Sequence, residues 1–150
     1  MDKTVLTYIE KDNKYLMLYR NKKENDLNEG KWIGIGGHIE KDETPDEAMI
    51  REVKEETGLD VISYKYRGIV HFASDDYQEV MYLYTVDSFE GELIECDEGT
   101  LEFIPKDNIL SLNMWEGDKY FLNLIKEDVS DFEIELFYSK DKLIHYRRIK

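Results

Sequence analysis

The chain alternates between apolar runs of β-type spacing and two stretches of helical spacing. Residues 4–10 and 14–19 are short β-rich runs on either side of Lys11-Asp12-Asn13, which predicts a hairpin. Residues 21–30 are polar and charged and predict a loop. Residues 31–37 carry Trp32, Ile33 and Ile35 and end in glycines, which predicts a strand running into a close-fitting turn. Residues 61–72 and 79–87 are β-rich and are separated by a polar turn at 73–76. Residues 91–99 are acidic and predict a loop or short strand, and 101–104 predict a strand stopped by Pro105. Tyr120, Phe121, Leu124 and Ile125 have helical spacing within a predicted helix over 116–127. Residues 132–138 and 143–148 predict a second hairpin around 139–142. Strands interrupted by two helices predict an α+β fold, a mixed sheet with a helix on each side. No repeat, low-complexity tract or linker divides residues 1–150, so one domain is expected.

The other helical stretch is the most informative. Thr44-Pro45-Asp46-Glu47 reads as a helix start, with Thr44 as cap, Pro45 in the first turn and Glu47 closing a capping box. Gly58 is a natural stop, so the helix spans residues 45–57. At about 100° per residue, Glu52, Glu55 and Glu56 gather around the small Ala48. Ile50, Met49 and Val53 share a neighbouring apolar arc. Like charges three and four residues apart repel, so this arc needs a compensating charge. A hard divalent cation with oxygen ligands would supply it and would also bind phosphate oxygens. The competing reading is a solvated acidic face, since 34 of the 150 residues are Asp or Glu. Arg51 beside the arc, able to hold the glutamates, and the glycines at 34, 36 and 37 just before it favour a site.

Composition narrows the partners. The net charge of −14 argues against a non-specific nucleic-acid binder, because phosphate backbones attract Lys and Arg. It leaves room for a nucleotide bound through a metal. The single cysteine, Cys96, excludes an internal disulfide and points to a reducing compartment. With no signal peptide and no apolar run of spanning length, a soluble cytoplasmic protein with no membrane partner is expected. Nothing in the sequence sets the oligomeric state.

The spacing Gly37, five residues, Glu43, seven residues, Arg51-Glu52-Val53, one residue, Glu55-Glu56, one residue, Gly58-Leu59 resembles the signature of the Nudix hydrolases at every position. The resemblance implies an αβα sandwich and divalent-metal-dependent cleavage of a phosphoanhydride. It implies that Glu52, Glu55 and Glu56, with the backbone carbonyl of Gly37, bind Mg²⁺ or Mn²⁺, that Arg51 orients the glutamates, and that Glu43 pairs with Arg51 or the loop. For the general base, Glu52 is one candidate. Glu98 in the acidic loop is the other, by likeness to MutT-type members, with Glu95 and Asp97 as alternatives. His38 and Lys23 lie where they could meet phosphates, though loop histidines and exposed lysines often have no such role. Cys96 has no feature that suggests a nucleophile.

The segment from Asn113 to Phe121 is similar to one in oxidised-purine triphosphatases of the MutT type. There a tryptophan stacks on the base and following acidic residues contact its edge, which implies these roles for Trp115 and Asp118. The other reading of Trp115 is a core aromatic capping the second helix. Ile33 and Gly117 depart from the eukaryotic-type pattern, which has an asparagine and an acidic residue there. The expected activity is hydrolysis of a nucleoside triphosphate to monophosphate and pyrophosphate, with oxidised or non-standard purines such as 8-oxo-dGTP as first substrates. The alternatives are a nucleotide sugar, ADP-ribose or dinucleoside polyphosphate, or a catalytically silent nucleotide-binding domain.

Overall fold

In the computed structural model, which describes residues 1–150, the first hairpin forms as its sequence predicts. Strands β1 (Asp2–Lys11) and β2 (Lys14–Tyr19) meet at Asp12 and Asn13, whose φ angles are 52° and 62°. Two successive left-handed residues match the twist of a tight hairpin, and Asp and Asn tolerate them.

The single strand expected over residues 31–37 is two pieces. β3 (Trp32–Ile33) pairs with β2, and β4 (Ile35–His38) pairs with β1. The two halves of β1 and β2 use different partners along the same edge, and the chain changes partner at Gly34. A propensity pattern cannot show that step, because pairing is a tertiary choice. β5 (Asp60–Ser74) and β6 (Tyr77–Glu90) are longer than predicted and pair along most of their length. β7 (Thr100–Pro105) pairs antiparallel with β2, β8 (Phe132–Ser139) runs parallel to β5, and β9 (Lys142–Arg148) closes the second hairpin. A short 3₁₀ helix over Lys106–Ser111, absent from the sequence reading, buries Ile109.

The sheet order is β3-β2-β1-β6-β5-β8-β9, with β1 parallel to β6, so the sheet is mixed. Alternation along the strands divides the apolar residues between two faces. Val5, Ile9, Leu16, Leu18 and Ile35 share one core with Ala48, Met49 and Val53 of α1 (Pro45–Thr57). Tyr8, Met17, Leu83 and Ile134 share the other with Phe121, Leu122 and Ile125 of α2 (Asp118–Lys126). The expected α+β sandwich is thus present, with α2 two residues shorter at its start than the sequence predicts. No helix is long and apolar enough to cross a membrane.

Candidate active site

Local chemistry shapes α1. The Thr44 hydroxyl accepts from the Glu47 amide at 3.1 Å, and the Glu47 carboxylate accepts from the Thr44 amide at 2.9 Å. The helix ends at Gly58, where φ is 82°. Both ends are therefore satisfied by the residues the sequence puts there.

Arg51 is the hub of the helix's polar side. Its guanidinium donates to both oxygens of Glu43 at 2.7 and 3.0 Å, to Glu52 at 2.8 Å, to Glu55 at 3.1 Å and to the His38 carbonyl at 3.0 Å. The hydrogen bonds from Arg51 hold the Glu43 carboxyl down at about 2. Arg51 in turn is more firmly protonated, chiefly through its bonds to Glu43. One cation thus ties the loop after β4 to Glu52 and Glu55. The carboxylate of Glu52 lies against Gly37: a Cβ there would sit 2.5 Å from Glu52 Cδ. Only glycine lets that strand approach so closely.

Glu56 points the other way, into the protein. It is 8% exposed, and neither carboxylate oxygen has a hydrogen-bond donor. Burial pushes its pKa up strongly, and the neighbouring carboxyls of Glu98 and Glu52 push it further. An acid so placed is neutral or paired with a cation, since an isolated buried carboxylate is costly. One ligand atom each from Glu56, Cys96 and Glu98 lies within 4.8 Å of the others. Two neighbouring carboxyls, with Glu52 beside them, suit a divalent cation as the missing counter-charge.

The structure brings Gly37, Glu52, Glu56 and Glu98 together and leaves Glu55 at the surface, its side chain 59% accessible and bonded to Arg51. The expected shared arc is thus split. Glu55 is one residue and about 100° from Glu56, so burying one turns the other outward. Cys96, to which the sequence assigns no part, stands within the same group as Glu56 and Glu98.

Gly37, Glu98, Trp115 and Asp118 all line one cleft of about 360 Å³. Lys23 and His38 line it too. The His38 side chain is 70% accessible, with Nε2 3.4 Å from Asp2 Oδ2. Trp115 fits both of its expected descriptions. It is 7% exposed and packs edge-on against Phe72 and Tyr138, and it also forms cleft wall. Its Nε1 donates to Asn28 Oδ1 at 2.7 Å, and Lys31 Nζ stands 5.0 Å from the ring centroid. Asp118 is 8% exposed, and burial raises its pKa to about 8 against the opposing charge of Lys31. Its carboxyl therefore keeps its proton to higher pH than an exposed aspartate does, and when protonated it can donate as well as accept.

Several cleft residues carry no signal in the sequence. Arg20 donates to Asp26 at 2.6 Å and to Glu98 at 3.3 Å, tying the loop after β2 to the acidic loop. Glu79 accepts from the Thr4 hydroxyl at 2.5 Å and the Tyr77 hydroxyl at 2.7 Å. Thr4 and Glu79 belong to β1 and β6, which are adjacent and parallel, and no local pattern announces that pairing.

A family model for the NUDIX domain matches residues 2–125. The chain is 27% identical over 146 residues to an uncharacterised Nudix hydrolase, YvcI, of Bacillus subtilis, covering 93% of this chain and 89% of that protein. It is 28% identical over 127 residues to the oxidized purine nucleoside triphosphate hydrolase of Danio rerio, covering 83% of this chain and 81% of that one. In three dimensions it is similar to a mutator MutT protein from Bacillus halodurans, with a TM-score of 0.89 and 25% identity, covering 99% of this chain and 98% of that one.

Proposed function

The chain belongs to the NUDIX family and is a Nudix hydrolase of the MutT type, and on that premise we propose that it hydrolyses a nucleoside triphosphate to a monophosphate and pyrophosphate. One observation carries this reading: a single cleft joins the acidic group around Gly37 and Glu98 to the wall formed by Trp115 and Asp118. A triphosphate at one end and a base at the other would fill it.

Gly37, Glu52, Glu56 and Glu98 are the residues that would hold Mg²⁺ or Mn²⁺. When bound, such an ion neutralises phosphate oxygens and activates water. Arg51 keeps Glu52 in place and Glu43 anchors Arg51, so the acidic set is organised before substrate arrives. Glu55 serves this set through Arg51 rather than as a direct ligand. Of the two candidates for the base, Glu98 is favoured. It lines the cleft, and Glu52 does not. Glu98 would take a proton from water as its oxygen attacks phosphorus, and the phosphoanhydride bond would break with pyrophosphate leaving. Lys23 and His38 would meet the phosphate chain.

Trp115 would give the base a flat apolar wall, and Asp118, when protonated, a donor and acceptor for its edge. The likeness to the Danio rerio enzyme supports an oxidised purine, and 8-oxo-dGTP is the first substrate to try. Residues 1–150 would act as one domain, in a reducing cytoplasmic setting that suits the lone Cys96.

The test is a panel of 8-oxo-dGTP, dGTP, ADP-ribose and diadenosine polyphosphates with Mg²⁺ and product identification. Pyrophosphate and monophosphate from 8-oxo-dGTP, lost in Glu56→Gln, support the reading. Preference for ADP-ribose or a dinucleoside polyphosphate overturns the triphosphate assignment. Binding of nucleotides with no cleavage of any would make this a silent domain.

A further inference from the structure

The acidic group contains a sulfur that the proposed hydrolysis does not use. Cys96 is 4% exposed and abuts the apolar core beneath α1, while its Sγ stands within 4.8 Å of carboxylate oxygens of Glu56 and Glu98. A buried thiol is ordinarily a small hydrophobe surrounded by apolar neighbours. Here it shares its site with Glu56, a side chain more than nine-tenths buried whose two oxygens have no hydrogen-bond donor.

The loop carrying the thiol is tethered by the segment after β2. Lys22 Nζ donates to the Cys96 carbonyl at 3.0 Å and to the Glu95 carboxylate at 3.2 Å, and Arg20 donates to Glu98 at 3.3 Å. The three potential ligands come from a helix and from a loop tethered to β2, so they are positioned before any ion arrives. Ligand atoms around a tetrahedral ion with metal–ligand distances of about 2.0–2.3 Å stand roughly 3.5 Å apart. Small side-chain rotations would close the difference.

We propose that Cys96 is a direct metal ligand, so that the Glu56–Cys96–Glu98 centre has a mixed oxygen and sulfur donor set that takes borderline and soft divalent ions such as Zn²⁺ and Cd²⁺. The proposal rests on the reading of Glu56 and Glu98 as metal-binding residues and adds a preference that an all-oxygen site lacks. Carboxylate oxygens suit Mg²⁺ and Mn²⁺, whereas thiolate favours Zn²⁺ and softer ions. On binding, the Cys96 S–H proton passes to solvent and an Sγ–metal bond takes its place. The expected consequence is that Zn²⁺ or Cd²⁺ occupies the centre in competition with Mg²⁺.

The test uses Cd²⁺ as the probe on the full chain. Titration calorimetry reads binding, and ultraviolet absorption reads the thiolate-to-Cd²⁺ charge-transfer band. The wild type should bind Cd²⁺ and develop the band in step with binding. Cys96→Ser should lose the band and bind Cd²⁺ at least about tenfold more weakly, since perturbing even an outer partner of a ligand costs 10–100-fold. Its Mg²⁺ affinity should stay within a few-fold of wild type. A circular dichroism melt shows that the variant folds. If it does not, protection of Cys96 from a thiol reagent by Cd²⁺ in the wild type reads the same sulfur–metal bond. Cd²⁺ binding without the band, or without thiol protection, overturns the role of Cys96 alone. Failure of both Cd²⁺ and Mg²⁺ to bind overturns the metal reading of Glu56 and Glu98, and this inference with it.

Discussion

Single side chains in this protein do opposite things with the same carboxyl group. Glu43 is held as an anion by two bonds from Arg51, whereas Glu56, thirteen positions on, is buried without a donor. The unfolded chain releases the Glu56 proton near 4.5, but the folded protein keeps it to higher pH. The folded state then binds more protons, so in the absence of metal its stability falls as pH rises above that value. Glu56→Gln removes this liability. The variant is expected to melt at a higher temperature than wild type in EDTA at neutral pH, and to lack the rise in melting temperature expected of the wild type with Mg²⁺. A variant that melts lower in EDTA yet still responds to Mg²⁺ would contradict both parts.

Asp118 follows the same sign. Its ordinary value is 3.8 and its folded value is about 8, so the unfolded state binds fewer protons across that window. Stability falls with rising pH through the window and levels off above it. Asp118→Asn should flatten this part of the profile. Melting curves of both proteins at pH values between about 4 and 8 check it, and parallel slopes would rule it out.

At the level of elements, α1 was legible because each of its determinants is local. The capping box, the first-turn proline and the terminal glycine lie within the helix or next to it, and all act as their residue types suggest. Thr44→Ala should therefore cost about 1 kcal/mol, seen as a melting temperature roughly 2–4 °C lower, with Mg²⁺ affinity little changed. Gly37→Ala should behave in the reverse way. The new methyl group would collide with the carboxylate of Glu52, which Arg51 holds in place. Mg²⁺ affinity by calorimetry should fall by at least about tenfold, as for other disturbances of a ligand's support, with only a small change in melting temperature. β3 and β4 were not legible as separate strands, because the change of partner at Gly34 depends on where β1 and β2 diverge.

The whole molecule carries a net charge of −14 and buries Glu56 beside the carboxyls of Glu98 and Glu52. A cation bound there would relieve repulsion that folding otherwise retains. Mg²⁺ at about a hundred times its dissociation constant should add about 2.7 kcal/mol of stability. For a chain of this size that raises the melting temperature by roughly 5–10 °C. A thermal melt with Mg²⁺ and then excess EDTA checks it, and identical curves would remove the metal from the reading. The cleft belongs to this scale too. Its walls come from the loop after β2, from β1, β4, β5 and β6, from the acidic loop and from the start of α2.

By itself the sequence determined the helix with its caps, the spacing of Gly37, Arg51, Glu52 and Glu56, the alternation that divides two cores across a mixed sheet, and through these the family. All of that is written in neighbours a few residues apart, where period and side-chain type act directly. Only the tertiary structure decided that Glu56 is buried while Glu55 is exposed, that Trp115 is both core and cleft wall, that Glu79 faces Thr4 and Tyr77, and that Cys96 shares a site with Glu56 and Glu98. Those facts depend on which strands pair and which loop folds over which helix. Burial and proximity between residues 40 or 75 positions apart follow from packing of the complete chain.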